Sequence, residues 1–171
     1  MIRHLILVTA LALAGCTTTA IPPAASPVSA ADAAAIDQTI RDVYAIISGP
    51  PGQKRDFARM RTMFAPNALL RFIGPNGIRG GTLEDYIAKS GPTLEKEGFT
   101  ERELGRRVEV YGNLAQVWSS YDGRTATRTF QTRGINSFQL VRINGRWLVA
   151  SILWQQETPA FPLPAGMIGE R

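Results

Sequence analysis

Histidine and cysteine carry most proton-transfer and nucleophilic chemistry near neutral pH, and each occurs once in these 171 residues, as His4 and Cys16. Both lie in a stretch with another explanation. Met1 to Cys16 reads MIRHLILVTALALAGC: a basic start at Arg3 and His4, then an apolar run from Leu5 to Ala14 broken only by Thr9. That run is too short to span a bilayer as a helix, which takes about 20 residues, and it fits the apolar centre of a secretory signal peptide. If the chain is cut before Cys16, the mature protein holds no histidine. Ser-His-Asp catalysis, imidazole general-base chemistry, His- or Cys-ligated zinc and disulfides within the chain are then excluded. No metal and no cofactor is expected. Acid–base work falls to carboxylates, Tyr, Lys and Arg; if the domain only binds, ligand affinity is expected to be nearly flat between about pH 6 and 8, because carboxylates and Arg do not titrate there unless strongly shifted.

Within that restricted set, Glu157 is the carboxylate at the end of the longest apolar strand, beyond Gln155 and Gln156. A general-base role there requires a pKa raised by desolvation, with Trp154 and the strand ends as the available cause. Tyr44, Tyr86 and Tyr121 are candidates to orient a ligand through their hydroxyls. Arg71, the one charge in the apolar stretch ALLRFI, is a candidate for an anionic group. Asn136 and Gln139 are polar within a long apolar strand and fall on opposite faces, so at most one looks inward. Trp154 is a candidate pocket aromatic, and Trp118, whose face also carries Gln116 and Glu109, a candidate interface aromatic.

The elements that would position these residues start with the stretch Gly134 to Glu157, two strands joined by Asn144-Gly145. Asn-Gly between alternating apolar residues is the strongest short-range hairpin signal, because both turn positions need φ > 0. Pairing across it puts Asn136, Phe138, Leu140, Trp147, Val149 and Leu153 on one face. Ile135, Val141, Leu148, Ala150, Ile152 and Trp154 fall on the other. Both faces are apolar, so the hairpin is expected to be covered on both sides. A second hairpin is expected around Gly112-Asn113, with strands over 104–111 and 114–122 and a polar loop over 123–132.

The first half reads as helices. Ile36, Ile40, Val43, Tyr44 and Ile47 repeat at helical spacing over 32–47, and Ser48-Gly49-Pro50-Pro51-Gly52 ends that helix. A second helix is expected over 53–64, with Phe57, Met60 and Phe64 on one stripe, and a short strand over 68–73. Gly74-Pro75-Asn76-Gly77 and Gly80-Gly81 read as breaks. A third helix starts at Thr82, with Asp85 completing a capping box. Gly91-Pro92 is expected to kink or interrupt it.

The net charge of +5 is spread along the chain apart from Arg102, Arg106 and Arg107. A dispersed excess of this size suits solubility or contact with an anionic surface, and no nucleic-acid partner is expected. The sequence contains no phosphate-binding glycine loop, nucleotide fingerprint or EF-hand spacing.

Leu13-Ala14-Gly15-Cys16 resembles a bacterial lipobox. That resemblance implies cleavage before Cys16, lipidation of Cys16, and an anchor in the cell envelope. Thr17 in place of Asp implies the outer membrane, facing the periplasm, if the source is Gram-negative. Residues 1–15 are then the signal peptide and 16–31 the lipidated Cys with a Thr/Ala/Pro/Ser tether. Such a tether reaches at most about 50 Å at ~3.3 Å per residue. The folded domain is expected over 32–157, followed by a Pro-rich tail over 158–171.

Helices followed by long antiparallel strands make an α+β pattern. That order, with VEVYGNLAQVWSSYDGR and FQLVRINGRWLVASILW, resembles the NTF2-like superfamily, in its SnoaL-like and DUF4440-type branch. The resemblance covers roughly residues 35–157. It implies three N-terminal helices packed on a strongly curved antiparallel or mixed sheet, a cone with an apolar cavity, and a homodimer through the sheet's outer face. Enzymatic members bring Asp with His or Tyr into the cone, often on the strand after the Asn-Gly-Arg-Trp hairpin. Here that strand reads Ser151-Ile152-Leu153-Trp154, with no ionisable group. The resulting expectation is an envelope lipoprotein that binds a small apolar ligand or a protein partner without catalysis. The alternatives are a proton-transfer enzyme of the isomerase or dehydratase type using Glu157 and a Tyr, and a structural subunit of an envelope complex.

Overall fold

The computed structural model describes residues 28–169. The signal, lipobox and most of the tether expectations, Cys16 among them, lie outside the described residues. Three helices, α1 (Ala30–Ile47), α2 (Phe57–Met63) and α3 (Leu83–Glu97), pack on one sheet. Its strands are β1 (Phe64–Gly74), β2 (Gly77–Thr82), β3 (Phe99–Tyr111), β4 (Leu114–Thr125), β5 (Gln131–Ile143) and β6 (Arg146–Gln156). They lie in the order β2-β1-β6-β5-β4-β3, with β1 parallel to β6 and every other pair antiparallel. This is the expected α+β cone: an open, mixed, six-stranded sheet wrapped on its helices.

α1 forms because its apolar stripe has somewhere to go. Ile36 and Ile40 are fully buried, with Val43, Tyr44 and Ile47 beside them. Ser29 caps its first turn by accepting from the Asp32 N–H at 3.0 Å. Trp147 Nε1 donates to Asp32 Oδ1 at 2.9 Å, which ties that end of the helix to β6. The capping box of α3 is present, with Thr82 Oγ1 accepting from Asp85 N and the Asp85 carboxylate accepting from Thr82 N. Asn144 (φ 49°) and Gly145 (φ 76°) both take the left-handed conformation that the hairpin needs.

Several expectations are corrected. The second helix is only seven residues long, because 53–56 serve another purpose. Arg55, 6 % exposed, donates there to the carbonyls of Ile47, Gly49, Gln53 and Leu94. One guanidinium thus satisfies orphan carbonyls at the ends of both α1 and α3. The third helix runs unbroken through Pro92, on the solvent side of the helix. Gly91 packs closely on Phe57, since a Cβ there would lie 3.0 Å from the ring. The Gly-rich stretch after Gly77 is not a break but β2, paired along β1 from Leu69↔Thr82 to Gly74↔Gly77. Gly80, at φ +116°, lets that strand pass close to the Leu70 carbonyl.

The face assignment of the long hairpin also changes. Gln139 pairs with Ser151 and Leu140 with Val149, so Ala150 is an extra residue, a bulge. Beyond it every side chain of β6 swaps face. Ile152 and Trp154 therefore turn inward with Phe138 and Asn136, and Leu153 turns outward. A second bulge, at Leu104 between the pairs Glu103↔Tyr121 and Gly105↔Ser120, swaps the faces of β3. The C-terminal tail braces that bulge: Gly169 N donates to Leu104 O at 2.8 Å, and Ser120 Oγ donates to Gly105 O at 3.1 Å and to the Met167 carbonyl. The tail crosses the outer face of the sheet, with Leu163 buried against it.

Candidate functional site

The cone encloses a cavity of about 460 Å³ between the helices and the inner face of the sheet. Six side chains from six of the surrounding elements stand at its centre: Tyr44 (α1), Tyr86 (α3), Glu101 (β3), Tyr121 (β4), Asn136 (β5) and Trp154 (β6); Lys89 and Glu97 of α3 also line it. Val43, Met60, Leu70, Phe138 and Ile152 make much of the remaining wall apolar. The volume and lining suit a small, mostly apolar molecule held by a few polar groups.

Five of those six are candidates on the sequence alone: Tyr44, Tyr86, Tyr121, Asn136 and Trp154. The structure brings them together. Asn136, not Gln139, is the inward polar residue of β5. Trp154 stacks on Phe72, with ring centroids 5.6 Å apart at 27°. The other two sequence candidates lie elsewhere. Arg71 is exposed and on the opposite face of β1 from Leu70, which lines the cavity. Glu157 sits one residue past Gln156, at the outer groove. Its Oε2 is 3.4 Å from Arg133 Nε, and its Oε1 accepts from Leu163 N at 2.9 Å.

Glu101 is the carboxylate that the sequence did not reveal. Its strand starts at Phe99, five residues before the expected position. The end of α1 holds it there: Gly49 and Phe99 exchange backbone hydrogen bonds of 2.7 and 3.0 Å, and Glu101 N donates to Ser48 Oγ at 3.0 Å. The bulge at Leu104 then points Glu101 and Glu103 inward with Val108 and Val110. Strict pairing from Gly112-Asn113 puts Leu104, Arg102 and Thr100 inward instead, so the local signal pointed the wrong way. Only Gly105, a glycine inside an otherwise strand-like run, marked the bulge.

Burial among tyrosines and apolar side chains raises the pKa of Glu101 from 4.5 to about 7, and one hydrogen bond from Asn136 offsets this in part. The carboxyl is half-buried by exposed area only because it faces the cavity. With that shift the cavity holds a group that titrates near neutrality without an imidazole. Burial first, and then the Glu101 charge, hold the Tyr86 hydroxyl well above its ordinary range. Tyr44 is raised by burial, with Glu101 and Glu103 adding to it against its hydrogen bonds. Burial pushes Tyr121 up to about 12. All three therefore remain protonated donors at neutral pH.

A chain of hydrogen bonds runs inward from the helix surface. Arg106 pairs with Asp37 at 2.7 Å and with the Glu103 carboxylate. Glu103 Oε1 accepts from Ser119 Oγ at 2.5 Å, and Ser119 Oγ lies 2.7 Å from the Tyr44 hydroxyl. Asn136 Nδ2 donates to the Tyr44 oxygen at 3.1 Å and to Glu101 Oε1 at 3.3 Å. Among the described residues, no group of three or more His, Cys, Asp or Glu side chains is placed to hold a metal.

No protein-family model matches the sequence. No curated protein matches it. The fold, in contrast, has many solved counterparts. An NTF2-like protein of unknown function from Shewanella baltica aligns at TM-score 0.54 and 18% identity, over 78% of this chain and 99% of its own. A candidate scytalone dehydratase from Novosphingobium aromaticivorans aligns at 0.58 and 14%, over 75% and 85%. A candidate ketosteroid isomerase from Shewanella frigidimarina aligns at 0.53 and 15%, over 70% and 94%. At these identities the likeness establishes architecture alone: the chain has the NTF2-like fold.

Proposed function

We propose that the cone binds a small, neutral, mostly apolar molecule and that Glu101 moves a proton on it. One observation carries this reading: the cavity wall holds an acid–base group near neutrality, set among protonated tyrosines in an apolar enclosure. A general base works best when its pKa lies near the operating pH. Pure binding does not need such a group, and a buried carboxylate is costly to keep unless it is used. The names of two structural neighbours, a dehydratase and an isomerase, are of this reaction type.

In the proposed reaction the Glu101 carboxylate takes a proton from a carbon next to a carbonyl. The electron pair of the broken C–H bond moves onto the carbonyl oxygen, or expels a leaving group one carbon further on. Tyr86, a neutral donor outside the Tyr44 chain, faces the oxygen where charge develops. The proton held on Glu101 is then returned to carbon or given to the departing group. Ionisation of Glu101 is required to start, so activity falls as pH drops through about 7.

Solvent exchange tests this with simple ketones standing in for the natural substrate. Small cyclic ketones are incubated with the protein in D₂O, and deuterium uptake is followed by mass spectrometry. The expected result is saturable uptake that rises with pH and drops at least about 100-fold in Glu101→Gln. Saturable binding with no uptake by any ketone, or uptake unchanged in Glu101→Gln, would remove the catalytic half of the proposal.

The envelope setting is part of the same proposal. The lipobox-like Leu13-Ala14-Gly15-Cys16 supports a lipid anchor at Cys16. The outer sheet face supports a homodimer, since Trp118 (38 % exposed) and Leu114 (52 % exposed) lie uncovered on it.

A further inference from the structure

We infer that Glu103 is a positioning residue: with Arg106 it fixes the direction of the chain through Ser119 and Tyr44, so that Asn136 turns its amide N–H, and not its carbonyl, toward Glu101. The inference rests on the reading of Glu101 as the acid–base group, and adds a remote residue that controls it.

Counting protons along the chain fixes its direction. A carboxylate accepts and cannot donate. Arg106 occupies Oε2 of Glu103, with Nε at 2.9 Å, and leaves Oε1 for Ser119. Ser119 is fully buried and has a single proton, which goes to Glu103. Its oxygen must then accept from Tyr44, whose single proton is thereby used. The Tyr44 oxygen is left as an acceptor and takes one N–H of Asn136. The second hydrogen on the same nitrogen faces Glu101 Oε1. Each donor has one assignment, and all follow from the negative end at Glu103. Arg106 is itself held by Asp37 of α1, so the anchor lies outside the cavity.

Sheet register makes this geometry possible. Arg106, Ser119, Asn136 and Trp154 form one cross-strand row on the inner face. Glu103 and Glu101 follow it on the near side of the Leu104 bulge. With the chain reversed, Tyr44 would donate to the Asn136 carbonyl, and that carbonyl would face Glu101. A carboxylate is disfavoured beside a carbonyl oxygen, and a protonated carboxyl is favoured.

The experiment is a titration of the Glu101 carboxyl carbon by NMR in the purified protein and in Ser119→Ala, Glu103→Gln and Ser119→Thr. The charged or titratable groups facing Glu101 are Tyr44 from α1, Tyr86, Lys89 and Glu97 from α3, Tyr121 from β4 and Glu103 from its own strand. β5 and β6 contribute no charged or titratable group to the cavity. None of these except Glu103 is altered, and Ser119→Ala leaves even that charge in place. Loss of a charge-assisted hydrogen bond should raise the Glu101 midpoint by about one pH unit in Ser119→Ala; in Glu103→Gln the removal of a neighbouring negative charge pulls the other way, so the rise there should be smaller. Ser119→Thr keeps the hydroxyl and should stay at the wild-type midpoint. If Ser119→Ala fails to fold, Ser119→Val, the hydroxyl-free counterpart of Ser119→Thr, decides. An unmoved or lowered midpoint in a folded Ser119→Ala, or in the Ser119→Val that replaces it, would overturn the inference. This outcome is separate from the catalytic reading, which fails if Glu101→Gln retains deuterium exchange wherever Glu101 titrates.

Discussion

Replacing Glu101 by Gln should stabilise the protein at high pH and not at low pH. Gln has the shape of the protonated carboxyl, so the variant isolates the cost of the charge. The ordinary carboxyl value is 4.5 and the folded value about 7. Between them the folded state keeps a proton that the unfolded chain has released. For a raised pKa, the stabilisation is complete below the unfolded value and is lost as pH rises through the folded one. From about pH 5 to about pH 8 the linkage relation gives a loss of about 2.5 kcal/mol in the wild-type protein, at 1.36 kcal/mol per pH unit. The carboxyl faces a cavity that reaches solvent, so about 2 kcal/mol is the working expectation. Urea unfolding, followed by tryptophan fluorescence at both pH values, measures it. Other titrating groups cancel in the difference between wild type and variant. A stability difference that stays constant across this range, within about 0.5 kcal/mol, would refute the buried-carboxyl reasoning.

Arg55→Met should cost about 3 kcal/mol or more, because four backbone carbonyls lose their only side-chain donor, and the urea midpoint reads it. Gly134→Ala should destabilise by at least about 1–3 kcal/mol, since a Cβ there would collide with the Gln155 carbonyl and lie 2.7 Å from the Tyr121 hydroxyl; thermal unfolding checks it. Cys16→Ser should abolish membrane association in detergent partitioning, and unchanged association would sink the lipid anchor. Sedimentation of residues 28–171 should show a dimer at tens of micromolar that Trp118→Glu weakens, and a clean monomer would reject the sheet-face interface.

The candidate site was half legible in the sequence. Tyr44 could be placed because it shares the helical stripe of Ile36, Ile40 and Ile47, and that stripe has one direction in which to bury itself. Tyr121 and Asn136 could be placed because each is two-residue alternation away from a hairpin turn with few alternatives. Trp154 stood out by residue type, yet the register put it on the face opposite Asn136, because a bulge leaves no clear mark in a run as apolar as LVASILW. Glu157 was the natural carboxylate to choose on a strand of that length. One residue of phase and the guanidinium of Arg133 take it out of the cavity.

What the sequence determined by itself is the architecture. The Asn144-Gly145 turn, the stripe of α1 and the Thr82–Asp85 box are local devices, each settled by residues within a few positions of one another. Tertiary structure alone decided where the chemistry sits. Phe99 to Glu103 has no apolar alternation to make it a strand, and it becomes one only through Ser48 and Gly49 at the end of α1 and the length of β4 beside it. The Leu104 bulge then reverses its faces, braced by a tail more than sixty residues away in the chain. The raised pKa of Glu101 follows from enclosure by helices and strands drawn from the whole length of the domain. Desolvation depends on everything that surrounds a group in space, and no stretch of sequence around Glu101 carries that information.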